Sequence, residues 1–74
     1  MKLKIKTYEK IKGEVVLSRE TNYDHGGGYK TLEEMRAELR RRNTNRLVED
    51  IPNGVRILFN GEPSQPHSQE IVLN

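Results

Sequence analysis

From Lys2 to Lys12 the chain reads KLKIKTYEKIK, and this alternation leaves little choice of backbone. Leu3, Ile5 and Ile11 fall on one parity. Lys2, Lys4, Lys6, Tyr8, Lys10 and Lys12 fall on the other. A two-residue period is the pattern of a strand with one face toward a core and one toward water. Glu14 to Thr21 reads as a second strand, with Val15 and Leu17 again on odd positions. A two-residue turn at Lys12-Gly13 would send Val15 and Leu17 to the lysine face. A three-residue loop, Lys12-Gly13-Glu14, pairs Ile11 with Val15 and keeps the apolar residues together. Register follows the apolar face, so the sequence predicts the odd loop or a bulge.

The next periodic segment is helical. Thr31 is a natural N-cap, with Glu34 three residues on to complete a capping box. Leu32, Met35 and Leu39 make an apolar stripe at helical spacing. Glu33 and Glu34 in the first turn and Arg40, Arg41 and Arg42 in the last complement the helix dipole, each contributing about 0.3–1 kcal/mol. Glu38 and Arg42 are spaced to pair along the helix, and Asn43-Thr44-Asn45 ends it.

Arg46 to Ile51 and Val55 to Asn60 flank IPNGV, which has the composition of a hairpin turn. A type I turn closed by a left-handed glycine pairs Ile51 with Val55 and Leu47 with Phe59, and sets Asp50 opposite Arg56 as a cross-strand ion pair. Residues 61–69, GEPSQPHSQ, form a polar linker with two prolines. Glu70 to Leu73 is a short apolar end suited to an added edge strand. The expected fold is α+β: one antiparallel sheet of four to five strands with one helix packed on one face, in the order β-β-α-β-β with a short C-terminal strand. Its predicted core is Leu3, Ile5, Val15, Leu17, Leu47, Ile51, Val55, Ile57 and Phe59, closed by Leu32, Met35 and Leu39.

Seventy-four residues make one domain, 1–74, with a small core. With no cysteine, disulfides and thiolate metal sites are excluded. No apolar run is long enough for a membrane span or a signal peptide, which points to the cytoplasm. The net charge of +2 hides an asymmetry. Residues 1–20 hold six basic and three acidic side chains, whereas residues 61–74 hold Glu62 and Glu70 and no Lys or Arg.

Asp24 to Lys30 reads DHGGGYK, the densest glycine run in the chain. His25-Gly26-Gly27-Gly28 resembles the HGGG oxyanion-hole motif of the lipase and esterase family of α/β-hydrolases, whose backbone N–H groups stabilise a charged intermediate. That chemistry also needs a nucleophile in a G-x-S-x-G elbow, and Ser18, Ser64 and Ser68 all lack the flanking glycines. A phosphate cradle fails as well. Tyr29 stands where a P-loop has glycine before its lysine, and Thr31 stands where the dinucleotide fingerprint has its last glycine. Glu33 and Glu34 would repel the anion. Gly26–Gly28 therefore reads as a hinge into the helix, with Tyr29 folding back on the sheet, or as a contact loop. His25 and His67 have no metal-ligand spacing, and no cofactor motif is present.

Two surfaces remain. The lysine face, with Lys2, Lys4, Lys6, Lys10 and Tyr8, together with Arg41 and Arg42, has the charge and the aromatic of a single-stranded nucleic-acid binder. The alternative is a protein-binding surface. Its candidates are Tyr23, His25 and Tyr29 from the glycine loop, Arg36 and Arg40 on the helix, and Val48, Arg56 and Leu58. Val48 and Leu58 are predicted on the sheet face away from the helix. Arginine suits the rim of an apolar interface as well as it suits phosphate, and the open edges of such a sheet allow a homodimer.

In size and order of elements the chain is similar to small accessory proteins of phages and mobile elements, including inhibitors of bacterial defence systems. The resemblance rests on no motif and carries no site residue. The expected function is a non-enzymatic protein-binding module that inhibits a partner by covering its surface, with no membrane and no cofactor. Nucleic-acid binding is the second expectation.

Overall fold

A computed structural model describes residues 2–74. It contains β1 (Leu3–Ile11), β2 (Glu14–Tyr23), α1 (Leu32–Arg42), β3 (Leu47–Ile51), β4 (Gly54–Leu58) and β5 (Ser68–Leu73). All five strands form one antiparallel sheet in the order β2-β1-β5-β4-β3. The helix connects the two edges of the sheet and packs across β4 and β3.

The helix begins where its capping residues place it. Thr31 Oγ1 accepts from Glu34 N at 3.1 Å, and the Glu34 carboxylate accepts from Lys30 N at 3.0 Å. The reciprocal bond thus falls one residue before the N-cap. Asn43 closes the other end, its side-chain amide donating to Leu39 O at 2.7 Å.

Both hairpin turns are one residue shorter than the sequence predicts. Ile11 faces Glu14 across Lys12-Gly13, which take φ of 52° and 83°. Two left-handed residues make the turn whose twist matches a hairpin. That register sends Val15 and Leu17 to the lysine face rather than into the core, and they are 49% and 51% exposed. A β-bulge then leaves Ser18 unpaired between Thr7↔Arg19 and Tyr8↔Leu17, with Ser18 Oγ donating to Thr7 O. Beyond the bulge the alternation is reversed, so Thr21 and Tyr23 share the helix side with Ile5 and Leu3.

The second hairpin slips in the same way. Ile51 faces Gly54 rather than Val55, because Asn53 at φ 63° supplies the left-handed residue after Pro52. Leu47 therefore faces Leu58, not Phe59, and is 53% exposed. Val48 lies on the helix side, packed against the core, and not on the opposite face. Gly54 serves a purpose other than the turn: a Cβ there would stand 1.9 Å from Ile71 O. Only glycine lets β4 approach β5 this closely.

The C-terminal strand is not an edge. It pairs with β1 from Leu3↔Leu73 to Tyr8↔Ser68 and with β4 from Gly54↔Val72 to Leu58↔Ser68. The buried cluster is Leu3, Met35, Val55, Ile57, Phe59, Ile71 and Leu73, with Ile5, Tyr29, Leu32, Leu39 and Val48 packed against it. Beyond Tyr8 the β1–β2 hairpin has no third strand, and the molecule measures 38 Å along its longest axis.

Met35 is fully buried, so Met35→Ala should destabilise the fold by about 2–5 kcal/mol in chemical denaturation. Gly54→Ala should cost about 3 kcal/mol, the upper end of overpacking penalties. A Gly54→Ala protein as stable as wild type would contradict the β4–β5 packing.

Candidate binding face

The side of the sheet away from the helix carries no covering element, and its residues fall into cross-strand rows. One row runs Leu17, Tyr8, Ser68, Leu58, Leu47 across all five strands in the order β2 to β3. Four of its five side chains are apolar or aromatic. The next row runs Glu20, Lys6, Glu70, Arg56, Glu49 and alternates in sign from edge to edge. The third runs Asn22, Lys4, Val72, Gly54, Ile51. Val15 extends the apolar row at the β2 edge, opposite Lys10.

The charge row is bonded internally. Arg56 donates to Glu70 at 2.8 Å and lies 3.6 Å from Glu49. The Tyr8 hydroxyl donates to the other Glu70 oxygen at 3.0 Å. The bonds from Arg56, followed by that from Tyr8, hold the Glu70 carboxyl below its ordinary range against the opposing effect of burial. Burial and the Glu70 carboxylate raise the Tyr8 phenol. Tyr8, Val15, Arg56, His67, Ser68 and Glu70 line a shallow depression where the apolar and charge rows meet.

The predicted Asp50–Arg56 pair does not form, since the shorter turn sets Glu49 opposite Arg56. Asp50 instead turns to the helix, where Arg40 bonds it and Arg36 Nε lies 3.4 Å away. Arg36 also donates to Gly54 O at 3.2 Å and Ile51 O at 2.9 Å, clamping the second turn. Arg36 and Arg40 therefore brace the fold. Arg41 and Arg42 both bond Glu38 and hold its carboxyl at about 2. Arg46 grips Glu62 with two bonds, of 2.7 and 2.9 Å, and stacks 4.5 Å over the Phe59 ring. All seven ion pairs among the described residues use arginine; Lys2, Lys4, Lys6 and Lys10 make none.

The glycine run is a defined turn. Gly27 and Gly28 take φ of 64° and 89°, Tyr29 N donates to Gly26 O, and Gly27 N donates to His25 Nδ1. A Cβ on Gly27 would come within 2.9 Å of Leu3 Cδ2. Tyr29 packs on the core, as its place after the glycines predicts. Tyr23 and His25 stay exposed with ring centroids 5.9 Å apart, Tyr23 on the helix side of the sheet. His67 lies at the other end of β5, its Nδ1 3.1 Å from Ser68 Oγ. Among the described residues no three His, Cys, Asp or Glu side chains form a metal-binding group.

Of the sequence-predicted protein-binding candidates, only Arg56 and Leu58 lie on the open face. The nucleic-acid candidates Lys4, Lys6, Tyr8 and Lys10 share it, while Arg41 and Arg42 are on the helix. Sequence reasoning missed Leu17, Val15 and Leu47 because it assigned them to the core. The signal for Val15 and Leu17 was the Lys12-Gly13 dipeptide, whose two-residue reading puts them outside, and for Leu47 it was the same two-residue reading of Pro52-Asn53. Comparison with protein-family models, curated proteins and solved structures finds no match for this chain.

The Glu38, Glu62 and Glu70 carboxyls are all held below the ordinary value of 4.5 by arginine hydrogen bonds. A carboxyl that is more acidic in the folded state contributes stability above its unfolded value and loses it as pH falls through its folded value. Stability should therefore be flat from neutrality to about 5, then fall as pH drops toward 2. Glu38→Gln should flatten the lowest part of that profile. Denaturation midpoints that do not change down to pH about 2 would contradict the pairing.

Proposed function

We propose that this chain is a non-enzymatic protein-binding module that acts in the cytoplasm and presents the open sheet face to a partner protein. One observation carries the reading. The row Leu17, Tyr8, Leu58, Leu47 crosses the whole sheet on the side the helix leaves bare, with Leu17 and Leu47 about half exposed. An uncovered apolar stripe rimmed by charge is the anatomy of a recognition surface. The neighbouring row of alternating charges supplies specificity, because a partner with the complementary order is favoured and a uniformly charged one is not. The arginines and carboxylates are largely tied to one another, which suits a scaffold that displays a surface. Inhibition by covering a partner's working surface is the form of action that fits such a module. It is also what the chain's similarity in size and element order to phage and mobile-element accessory proteins implies.

Nucleic-acid binding is the second reading. Lys4, Lys6 and Lys10 stand beside Tyr8 on the same face without carboxylate partners in bonding range. Against it, Glu20, Glu70 and Glu49 interrupt the positive charge, and the Tyr8 hydroxyl is tied to Glu70. Phosphate binding must release counterions and so weakens steeply with salt.

Two experiments separate the readings. Leu17→Glu with Leu47→Glu should abolish capture of the partner from host lysate while leaving the circular dichroism and unfolding midpoint near wild type. Full capture by that variant would overturn the open-face reading. Titration with single-stranded RNA should give only the weak, salt-sensitive binding of any basic patch, in the range of about 10⁻⁴–10⁻⁶ M. Lys4→Glu with Lys6→Glu should remove it. Tight binding lost in that variant would transfer the function to nucleic acid.

A further inference from the structure

The two edges of the sheet are defended unequally. β3 is five residues long, carries Glu49 and Asp50, and runs directly into Pro52. Short length, charge and proline are the usual means of keeping an edge from pairing. β2 is ten residues long, and its segment Glu14-Val15-Val16-Leu17 contains neither lysine nor proline. Val15 and Leu17 are about half exposed, and no backbone group of β2 bonds outside the β1–β2 ladder. The hairpin turn closes this segment at one end and the Ser18 bulge closes it at the other. That leaves a five-residue window, Glu14–Ser18, with Val16 at its midpoint.

From this window we infer that a second copy of the chain pairs with it, antiparallel, about a two-fold axis perpendicular to the sheet and midway between the two copies of Val16. Such an axis keeps the open faces of both copies on the same side. Val15 then faces Leu17 of the second copy, and Leu17 faces its Val15, both on the open side. Val16 meets Val16 of the second copy on the helix side. Glu14 falls opposite Ser18 of the second copy, next to its Arg19. The bulge is what puts Glu14 and Arg19 on the same side of the sheet, as their partners Ile11 and Thr7 show. Neither residue has an ion-pair partner within the described chain. The two-fold supplies each Glu14 with one Arg19, twice.

The register is particular. Moving the axis to Leu17 would carry the pairing across the bulge, where the alternation reverses, and set Val15 on the open side against Arg19 of the second copy on the helix side, so facing residues would no longer share a face. The proposed register contains no like-charge pair, satisfies the free edge and covers Val15, Val16 and Leu17. It also joins the two apolar rows, so that Leu47, Leu58, Tyr8 and Leu17 run on into Val15 of the second copy. Five paired residues bury less than a standard interface, so the dimer belongs to the weak, concentration-dependent class.

Sedimentation of the intact chain from micromolar to millimolar concentration tests the inference, with circular dichroism of each variant to establish its fold. Wild type should pass from monomer to dimer. Val16→Lys puts two ammonium groups at the axis while facing Glu9 within its own chain, and it should stay monomeric and folded. Val16 lies on the helix side, so this variant leaves the open face as it is. Arg19→Glu should weaken the dimer, and Glu14→Arg combined with Arg19→Glu should restore it. A wild type that stays monomeric throughout would overturn the inference, as would Val16→Lys dimerising like wild type. So would charge reversal without rescue, since an extended segment of some other protein on this edge would not follow the swap.

Discussion

Six residues hold this molecule together. Ser68–Leu73 lie between two hairpins that share no strand pairing of their own, and β5 bonds both of them along its whole length. Its side chains work on both faces. Ile71 and Leu73 are buried under the helix side, while Glu70 joins Tyr8 of β1 to Arg56 of β4 on the open side. The same strand dictates Gly54, whose missing Cβ makes room for Ile71 O. The ladder continues one step past the strand, with Lys2 and Asn74 exchanging both backbone bonds. Nearly all of this pairing is between residues far apart in sequence, which makes loop closure costly and folding slow relative to helical domains of this size.

Once β5 fixes the sheet, turn geometry decides what each face displays. A strand shifted by one residue presents its other side chains. Two short turns do this here, at Lys12-Gly13 and Pro52-Asn53, and each moves apolar residues from the helix side to the open side. The helix packs across β4 and β3, and β2 is the edge furthest from them, so an apolar β2 on the helix side would have stayed largely uncovered. Instead the sheet gathers Leu17, Leu58 and Leu47 into one row with Tyr8, beside a ladder of paired charges. The protein-binding reading and the two-fold edge both arise from that redistribution.

The helix was fully legible, because its cap, stripe and terminal charges are local and agree with one another. The existence of β1 to β4 was legible too, since alternation survives whatever the register. Register was not, because it hangs on single backbone angles. Lys12 and Asn53 adopt left-handed conformations that non-glycine residues take at some cost, and the glycine after each suits a three-residue loop as well as a two-residue one. Glycine at positions 13 and 54 looked like equivalent turn signals, yet Gly13 completes a turn and Gly54 admits a neighbouring strand. The C-terminal strand was legible over Glu70 to Leu73, but as an edge; its start at Ser68 and its central place were hidden for another reason. Two prolines and a polar run precede it, so SQEIVL reads as a short added strand unless its two partners are already in view. Of the open face, Arg56, Leu58 and the lysines with Tyr8 were legible, while Leu17 and Leu47 were lost with the register.

The most direct test of this account is to end the chain at His67 and record its amide NMR spectrum. If β5 is the element that joins the two hairpins, both should lose their native shifts together, leaving a poorly dispersed spectrum with at most residual helix. A truncated chain in which the β1–β2 or β3–β4 amides keep their native shifts would contradict it, because that hairpin would then stand without the strand on which the sheet is argued to depend.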